Sequence, residues 1–481
     1  MDDLALPPAM NLIGGRWRAA ASGRELPMIS PIDGQPFAAI AASEAADVDA
    51  AVAAARAALA GEWGTLSAAQ RGRLLLRLAL RVEADAETLA QIETRDNGKP
   101  IAQSRADMTA LVRYLEYYGG AADKLHGDVI PFLPGHQALS LREPHGVTAH
   151  VIPWNYPVQI FGRSVGAALA MGNATVTKPA EDACLTILRL GQLAVETGFP
   201  PGAINIVTGL GEVAGRALCE HPGVDFISFT GSPQVGQQIQ RAAARNHIPC
   251  TLELGGKSPQ IVFADADLAA ALPVIVNAIV QNGGQTCSAG SRVLIQRGIW
   301  DRLTAMLAQA FEAVEARPST EGAVLGPLIS ARQQARVEAY IAQADAPLLA
   351  RGRIAPAVPA GGFYVAPALF GPVDPQSPLA QEEIFGPVLA AIPFDTEAEA
   401  VAIANGTDYG LVAGVWTRDG DRQARMARAL RCGQVFINCY GAGGGVELPF
   451  GGLRKSGHGR EKGFVALQEF SRLKTIVHRF D

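Results

Sequence analysis

The sequence predicts an α/β protein built on two mainly parallel sheets. From Val147 onwards, short runs of β-branched and apolar residues alternate with stretches of helical periodicity, as in parallel strands that helices cover on both faces. The same alternation resumes after Leu254. The chain has 481 residues, of which 48% are apolar, so it can form more than one hydrophobic core. We therefore expect a nucleotide-binding α/β domain followed by a second α/β domain.

The first part of the chain is predicted to be helical. The helices are expected over residues 45–59, 67–94 and 102–119. The second opens with a capping box between Ser67 and Gln70, and Asn97-Gly98 stops it. A segment rich in Pro and Gly, 127–135, then leads to a short strand at 138–142, and we interpret this segment as an arm outside the core.

The strands follow as short runs between the later helices. Those of the first sheet are expected at 148–152, 174–178, 204–208 and 226–230, and those of the second at 260–263, 292–296, 388–393, 412–417 and 434–439. The C-terminal run 473–480 also alternates like a strand, with no partner nearby in sequence. We expect it to pair with the arm or with another chain.

Composition and charge exclude several classes of protein. The chain has 41 Lys and Arg residues and 46 Asp and Glu residues, a net charge of −5, so nucleic acid is not an expected partner. No signal sequence is visible, and the longest apolar run, 269–280, is shorter than the ~20 residues of a membrane span. We therefore expect a cytoplasmic protein without a membrane partner. The six cysteines are scattered, with no metal-ligand spacing, so neither disulfides nor a metal site is predicted. Lysine is scarce, at positions 99, 124, 178, 257, 455, 462 and 474 alone, so each lysine is worth examining.

Cys287 is a candidate nucleophile. It lies among glycines and small polar residues, 281–290, which allow a substrate to approach the sulfur closely. Its thiolate would react with a carbonyl carbon if nearby dipoles lowered the pKa of the thiol. A packed core cysteine is the equally weighted alternative.

Two further residues are candidates for proton transfer and oxyanion binding. Glu253 lies in an apolar strand, where partial burial would raise its pKa and make it a general base; the alternative is a strand residue that faces solvent. Asn155 lies where a strand ends and a helix opens at Pro157, so its amide could donate to an oxyanion; the alternative is an ordinary N-cap.

Polar residues also follow strand ends, where parallel sheets bind ligands. Lys178 and Glu181 could reach ribose hydroxyls, or they could form an ordinary surface ion pair. Ser232 begins a helix, which is a possible anion site. The glycines from Gly209 to Gly215 do not form the G-x-G-x-x-G fingerprint, so glycine spacing alone predicts dinucleotide binding only weakly.

Seven motifs, taken together and in this order, resemble the aldehyde dehydrogenase superfamily over essentially the whole chain. They are Pro153-Trp154-Asn155, Lys178-Pro179-Ala180-Glu181, Phe229-Thr230-Gly231-Ser232, Glu253-Leu254-Gly255-Gly256-Lys257, Gly284-Gln285-Thr286-Cys287, Glu383-Ile384-Phe385-Gly386-Pro387 and Pro449-Phe450-Gly451-Gly452. The resemblance implies a Rossmann-type cofactor domain (1–123 and 143–254), an α/β catalytic domain (255–455) and a small β oligomerisation arm with a tail (124–142 and 471–481).

The resemblance also implies a role for each residue of the motifs. Cys287 would form a thiohemiacetal and then a thioester with an aldehyde, Asn155 and the Cys287 N–H would hold the oxyanion, and Glu253 would activate the hydrolytic water. Lys178 and Glu181 would bind the adenosine ribose of NAD⁺, Ser232 the pyrophosphate, and Glu383 and Phe385 the nicotinamide riboside. The other residues implied at the cofactor cleft are Ile152, Pro153, Trp154, Gly211, Phe229, Gly231, Val235 and Leu254.

Further expectations follow from these roles. A carboxylate at Glu181 repels a 2′-phosphate, so we expect NAD⁺ to be preferred over NADP⁺. Glu253 favours hydrolysis of the thioester over transfer to coenzyme A, because acylating relatives generally lack a base at this position. The arm implies a homodimer or homotetramer. A thiol-dependent esterase and a non-catalytic relative of the same fold remain the alternatives.

The substrate is left open between aliphatic, aromatic and semialdehyde classes. Tyr156, Ile160 and Arg163 have the spacing of one helix face, so Arg163 could steer the carboxylate of a semialdehyde; equally, it could pair with an acid of the protein. The glycine-rich loop 440–448 could admit bulky aldehydes or could be plain linker.

Overall fold

The computed structural model describes residues 6–320, 322–441 and 445–480. The strands within them are β1 Asn11–Ile13, β2 Arg16–Arg18, β3 Glu25–Ile29, β4 Pro36–Ala41, β5 Asp128–Ile130, β6 His136–Pro144, β7 Val147–Ile152, β8 Ala174–Pro179, β9 Ile204–Ile206, β10 Phe226–Thr230, β11 Cys250–Glu253, β12 Pro259–Val262, β13 Arg292–Gln296, β14 Glu315–Ala316, β15 Leu348–Arg351, β16 Arg353–Ile354, β17 Ala368–Phe370, β18 Val388–Phe394, β19 Val412–Trp416, β20 Gln434–Ile437, β21 Gly457–His458 and β22 Ser471–Arg479.

The helices lie between these strands. They are α1 Ala45–Ala60, α2 Glu62–Thr65, α3 Ala68–Ala84, α4 Ala86–Asn97, α5 Ile101–Ala121, α6 Pro157–Ile160, α7 Gly166–Ala170, α8 Leu185–Thr197, α9 Arg216–Glu220, α10 Pro233–Arg245, α11 Leu268–Val280, α12 Trp300–Glu312, α13 Ala331–Ala342, α14 Pro378–Gln381, α15 Glu397–Asn405, α16 Gly420–Ala429 and α17 Val465–Glu469. Single turns of π-helix occupy Phe161–Val165 and Gly211–Gly215, and 3₁₀ turns occupy Gln281–Gly284, Arg297–Ile299 and Arg454–Ser456.

The first sheet has the order β2-β1-β9-β8-β7-β10-β11-β21. Strands β9, β8, β7, β10 and β11 are parallel, whereas β1, β2 and β21 pair antiparallel at the edges. The chain leaves β7 for β8 and β9 on one side and then crosses to β10 on the other. This change of direction opens a crevice at the carboxyl ends of β7 and β10, which is where open α/β sheets bind ligands.

The second sheet has the order β15-β17-β18-β13-β12-β19-β20 and is parallel except for β15. Its strands are mostly apolar because both faces are covered. Ile261 and Leu294 belong to one buried cluster, whereas their chain neighbours Val262 and Val293 belong to another on the opposite face. The alternation follows from the two-residue period of a strand.

A small three-stranded sheet, β22-β6-β5, stands apart from both. Strand β22 pairs antiparallel with β6 from Ser471 opposite Pro144 to Arg479 opposite His136, so the tail pairs with the arm of its own chain. Its apolar side chains are exposed: Val129 to 73%, Leu473 to 58% and Phe480 to 65%. We call the surface formed by these three strands, together with Phe480 directly after β22, the arm face.

Most elements expected from the sequence are present, with two differences. The capping box between Ser67 and Gln70 is formed, and Gly98 ends α4 in the left-handed conformation at φ 83°. The single helix expected over 67–94 is wrong, because Asp85 leaves the helical conformation and divides it into α3 and α4. Strands β1 to β4, β14 to β17 and β21 were not expected, since none is longer than six residues and most are only partly apolar. Within the described parts of the chain, no helix combines the length and apolar character that a membrane span requires.

Candidate active site

A cavity of about 1780 Å³ lies at the carboxyl ends of the first sheet. The loops after β7, β8, β10 and β11 form one wall, and segments around Cys287 and Glu383 form the other. Nearly all the site residues expected from the sequence line it: Ile152, Pro153, Trp154, Asn155, Lys178, Glu181, Gly211, Phe229, Gly231, Ser232, Val235, Glu253, Cys287, Glu383 and Phe385. Leu254 is the exception. It is 5% exposed and packs behind the wall against Gly236, where an added Cβ would lie 2.6 Å from its side chain.

Cys287 is half-buried at the wall of this cavity and packs against Leu411, Val412 and Phe450. Burial raises the pKa of its thiol to about 12, although Arg163 and the Ser288 backbone N–H act in the opposite direction. The sequence analysis considered a lowered pKa for the Cys287 thiol, but the structure raises this pKa. At neutral pH the thiol is therefore protonated. Among the described residues, no acceptor bonds the backbone N–H of Cys287, which leaves it free for a ligand.

Glycines allow the two walls to approach each other closely. An added Cβ on Gly256 would lie 2.5 Å from the Cys287 carbonyl oxygen, and one on Gly284 would lie 2.2 Å from the Gly386 carbonyl oxygen. Gly284 also has a φ of +71°. A side chain at either position would therefore push the cysteine segment away from its neighbours.

Glu253 is the last residue of β11 and is 1% exposed, so the alternative of a strand residue that faces solvent is excluded. Within the described chain, neither carboxyl oxygen has a hydrogen-bond partner. Burial, followed by the nearby Glu461 carboxylate, raises the pKa of Glu253 well above its ordinary value, and Arg163 only partly opposes the shift. A carboxyl group with this environment can accept a proton near neutral pH.

Asn155 follows β7 and precedes α6. Tyr156, not Asn155, is the N-cap of that helix, so the alternative of an ordinary cap is excluded. The Asn155 Nδ2 donates to the Gln285 carbonyl oxygen at 2.9 Å, and no other acceptor in the described residues contacts it. One N–H of the amide therefore remains for an oxygen atom in the cavity.

Lys178 and Glu181 form an ion pair at one end of the cavity, with 2.7 Å between Nζ and Oε2. The Lys178 side chain is only 2% exposed, so this is not an ordinary surface pair. Glu181 also accepts the Gly211 N–H at 3.3 Å. Burial alone would raise the pKa of Glu181, but the Lys178 ammonium and these hydrogen bonds lower it overall. The group is a carboxylate acceptor suited to hydroxyl donors.

Ser232 caps the 13-residue helix α10, and its Oγ accepts the Val235 N–H at 3.3 Å. The start of this helix lines the cavity. Free backbone N–H groups and the helix dipole make it a site for an anionic group.

Glu383 and Phe385 close the opposite wall. The Glu383 Oε1 accepts the Gly256 N–H at 2.9 Å, and burial raises the pKa of this carboxyl to about 7 although that bond opposes the shift. Phe385 packs edge-on against Trp154 with 5.4 Å between ring centroids. The sequence did not indicate that Gln333 and Arg336 of α13 fix this segment through bonds to the Phe385 and Glu383 carbonyls at 2.8 and 2.7 Å. Only the polar face of an amphipathic helix could have pointed to them.

Arg163 does not line the cavity, so the structure does not support the steering of a substrate carboxylate. Tyr156 and Ile160, which share the expected helix face, do not line the cavity either. The Arg163 guanidinium is buried, with Nε 2.5 Å from Glu461 Oε2 and NH2 3.2 Å from Thr230 Oγ1. Burial alone would lower the pKa of Arg163, but Glu461 raises it. The alternative of a pair with an acid of the protein is the one observed.

The loop 440–448 is described only at its two ends, since residues 442–444 lie outside the described residues. Tyr440 anchors its start, because the phenol donates to the Ser288 carbonyl oxygen at 2.6 Å. Its other end includes Leu448, which is 47% exposed.

Comparison with known proteins agrees with this geometry. The model of the aldehyde dehydrogenase family matches residues 17–476. A hydroxyisobutyraldehyde dehydrogenase of Mycolicibacterium austroafricanum is 42% identical over 98% of this chain and 94% of its own length. The crystal structure of a Burkholderia cenocepacia protein assigned as an aldehyde dehydrogenase is 61% identical, with a TM-score of 0.97 over 98% of this chain and all of that one. An aldehyde dehydrogenase from Bacillus cereus, solved as its NAD⁺ complex, is 37% identical, with a TM-score of 0.96 over 98% and 97% of the two chains.

The match extends over nearly the whole sequence and over both sheets, and the cavity holds a cysteine, a buried glutamate and an asparagine amide. This chain therefore belongs to the aldehyde dehydrogenase family of oxidoreductases.

Proposed function

We propose that this cavity oxidises an aldehyde to the carboxylic acid with NAD⁺, through covalent catalysis by Cys287. The observation that carries the proposal is the convergence of Asn155, Glu253 and Cys287, which are distant in sequence, on one cavity. The cavity also contains the strand-end residues suited to a dinucleotide.

The residues present fit NAD⁺. Ser232 at the start of α10 would receive the pyrophosphate, and Lys178 with Glu181 would bind the adenosine ribose. Glu383 and Phe385 would contact the nicotinamide riboside. Bound there, NAD⁺ accepts a hydride from the substrate carbon. The Bacillus cereus relative was solved with NAD⁺, which supports the same cofactor here.

The first step forms a bond between Cys287 and the substrate. The thiol first releases its proton to solvent; Sγ then attacks the carbonyl carbon, the C=O π bond breaks, and the carbonyl oxygen becomes an oxyanion. The unpaired N–H of Cys287 and the remaining N–H of Asn155 then donate to that oxygen. Such donors are worth about 3 kcal/mol each in other enzymes.

The second step releases the acid. Once the carbon has lost its hydride, the substrate is a thioester on Cys287. The Glu253 carboxylate takes a proton from water, the resulting hydroxide attacks the thioester carbon, and the C–S bond breaks so that Cys287 leaves as a thiolate and the carboxylic acid forms. The proton on Glu253 can then return to the sulfur. A base at this position favours water over coenzyme A as the acceptor.

Glu181 supports a preference for NAD⁺ over NADP⁺. Its carboxylate is anchored by Lys178 and Gly211, so it is fixed where it would accept from a 2′-hydroxyl. A 2′-phosphate at the same place would meet a negative charge.

The arm face supports a homodimer or homotetramer. Its strands carry exposed apolar side chains that a single chain leaves in water, among them Val129, Leu473 and Phe480. A second copy would bury them.

The decisive experiment is an NADH-absorbance screen over aliphatic, aromatic, amino-terminated and carboxy-terminated aldehydes. We expect NADH formation with at least one class and none with Cys287→Ser. Ester hydrolysis that needs no NAD⁺, without aldehyde oxidation, would instead support the thiol esterase alternative. Absence of both activities would support a non-catalytic relative.

A further inference from the structure

The ammonium group of Lys99 is buried beside the segment after β7 that carries Asn155. The residue follows Gly98, between α4 and α5, and its side chain is fully buried. All three N–H donors are used: Nζ is 2.8 Å from Glu93 Oε1, 2.7 Å from Asp107 Oδ2 and 2.9 Å from the carbonyl oxygen of Asn155. The third bond connects a buried charge to the main chain of the residue whose side chain faces the cavity.

The two carboxylates are themselves held in place by other helices. Glu93 Oε2 accepts from Thr186 of α8 at 3.1 Å, and Asp107 Oδ1 accepts from Gln159 of α6 at 2.7 Å. The carboxylate of Glu93 is therefore fixed between α4 and α8, and that of Asp107 between α5 and α6. A buried ion cluster contributes little net stability compared with apolar packing, but it fixes geometry when every donor and acceptor is satisfied.

The Asn155 carbonyl also belongs to a closed ring of hydrogen bonds. It accepts from Asn282 Nδ2 at 3.0 Å, the Asn282 carbonyl accepts from Gln285 Nε2 at 2.9 Å, and the Gln285 carbonyl accepts from Asn155 Nδ2 at 2.9 Å. Gln285 is two residues before Cys287. The ring thus connects the Asn155 amide to the cysteine segment. The bond from Lys99 is the attachment of the Asn155 carbonyl to the helical layer, and the Asn282 N–H makes a second attachment to Gln103 Oε1 of α5 at 3.0 Å.

We propose that Lys99 is a positioning residue that orients the Asn155 amide toward the oxyanion, an inference that rests on the proposed role of Asn155. Asn97 of α4 still holds the neighbouring Trp154 carbonyl, so loss of the bond from Lys99 leaves the segment in place but removes the charged donor that fixes the Asn155 peptide itself. The amide donor then leaves the place where charge develops in the first step. Donor geometry matters at the level of about 1 Å, so the effect falls on rate and not on substrate binding.

The test is a double-mutant cycle with Asn155→Ala. The test variant is Lys99→Met combined with Glu93→Gln and Asp107→Asn, because Lys99→Met alone would leave two carboxylates facing each other in the core. Glu93→Gln alone is the matched control, since it disturbs the cluster but keeps the Lys99 bonds to Asp107 and Asn155. The readouts are the first-turnover rate of NADH formation, the rate of p-nitrophenyl acetate hydrolysis without NAD⁺, and urea unfolding.

We expect the triple variant to lower both rates by about 10-fold or more, with KM for the aldehyde within about threefold of the parent. In the Asn155→Ala background the same three changes should lower the rates by less than about twofold, because the amide they orient is gone. Glu93→Gln should lower the free energy of unfolding measurably but leave both rates within about twofold of the parent, because the bond from Lys99 to Asn155 remains.

Two results would overturn the inference. Rates that fall by the same factor with and without Asn155 would mean that Lys99 acts only through the stability of the fold. Full rates in Asn155→Ala alone would refute the role of Asn155 itself, and the inference with it. If the triple variant does not fold, Lys99→Arg provides the second measurement. Its guanidinium keeps the charge but displaces the donor from the Asn155 carbonyl, so the same loss of rate and the same non-additivity are expected.

Discussion

Replacing Glu253 by Gln tests two effects of this carboxyl group: its role as the proposed base, and its effect on the free energy of unfolding. The side chain is buried, and in the described structure neither oxygen accepts a hydrogen bond, so the substitution breaks none. Glutamine has the same shape and cannot ionise. We expect Glu253→Gln to remove proton transfer while the cavity keeps its form.

The stability effect depends on pH with a defined sign. Burial raises the pKa of Glu253 above its ordinary 4.5, so from about pH 5 upwards the folded chain binds a proton that the unfolded chain has lost. Over that range the wild-type free energy of unfolding falls by about 1.4 kcal/mol per pH unit from this group, until the folded carboxyl also ionises. The stabilising contribution is fully present below the unfolded pKa. Glu253→Gln lacks this slope, so the free energy of unfolding of the variant increases relative to that of the wild type as pH rises.

Urea unfolding at pH 5, 6 and 7 measures that slope. A constant offset between the two proteins reflects only the buried amide, and the pH-dependent difference reports the carboxyl group. Parallel stability curves over this range would refute the reasoning, because they would mean that folding does not shift the pKa of Glu253.

Kinetics test the other half of the argument. Hydrolysis should slow by about 10² to 10⁴, the usual contribution of a general base, whereas the first turnover should persist as a burst of NADH. Stopped-flow absorbance resolves the two phases. Loss of the burst together with the steady state would show that Glu253 acts before the thioester is hydrolysed, as the acceptor of the Cys287 proton.

Three further predictions concern the cofactor, Arg163 and the arm. Glu181→Gln should raise kcat/KM for NADP⁺ about tenfold, which is about 1.4 kcal/mol, whereas Glu212→Gln, which removes another carboxylate lining the cavity, should leave the ratio of the two cofactors unchanged. Arg163→Met should lower the free energy of unfolding by about 3 to 5 kcal/mol, because it leaves Glu461 buried and unpaired. Adding Glu461→Gln should recover most of this loss. A selective loss of succinate semialdehyde oxidation would contradict a purely structural role for Arg163. Deletion of Ser471–Arg479 should reduce the particle mass by light scattering to that of one chain, and a full-length protein that is already monomeric would refute the proposed assembly.

The sequence predicted the two sheets because each depends on local patterns. Runs such as 226–230 and 292–296 are short, rich in apolar residues and lie between helical stretches, so their position and type follow from local patterns alone. The convergence of Cys287 with Asn155 and Glu253 did not follow from any one segment. It followed from the resemblance of seven ordered motifs, since glycine spacing in this chain is uninformative. The domain limits and a cytoplasmic location stay predictions of the sequence.

Residue environments were harder to predict than elements. The helix-face argument directed Tyr156, Ile160 and Arg163 toward the substrate, but none of the three lines the cavity. Arg163 is instead buried against Glu461, and this pairing could not be predicted because the two residues are distant in sequence. Lys99 was noted only for the rarity of lysine, because its partners Glu93, Asp107 and Asn155 meet it through the packing of separate elements.

The assignment of Glu253 as the base has support that is independent of family resemblance. Two buried carboxyl groups, Glu253 and Glu461, lie close enough for the Glu461 charge to raise the pKa of Glu253. Glu461 is paired with Arg163 and accepts from Ser228 at 2.8 Å, so its charge is compensated and its oxygens are occupied. Glu253 has neither partner in the described chain, and it alone of the two lines the cavity. When neighbouring acids have such unlike environments, the uncompensated one is suited to exchange protons. The two members of the Arg163–Glu461 pair act on Glu253 in opposite directions, since Glu461 raises its pKa and Arg163 lowers it, so burial is the main cause of the raised pKa. The ionised form of this carboxyl is the one that takes a proton from water.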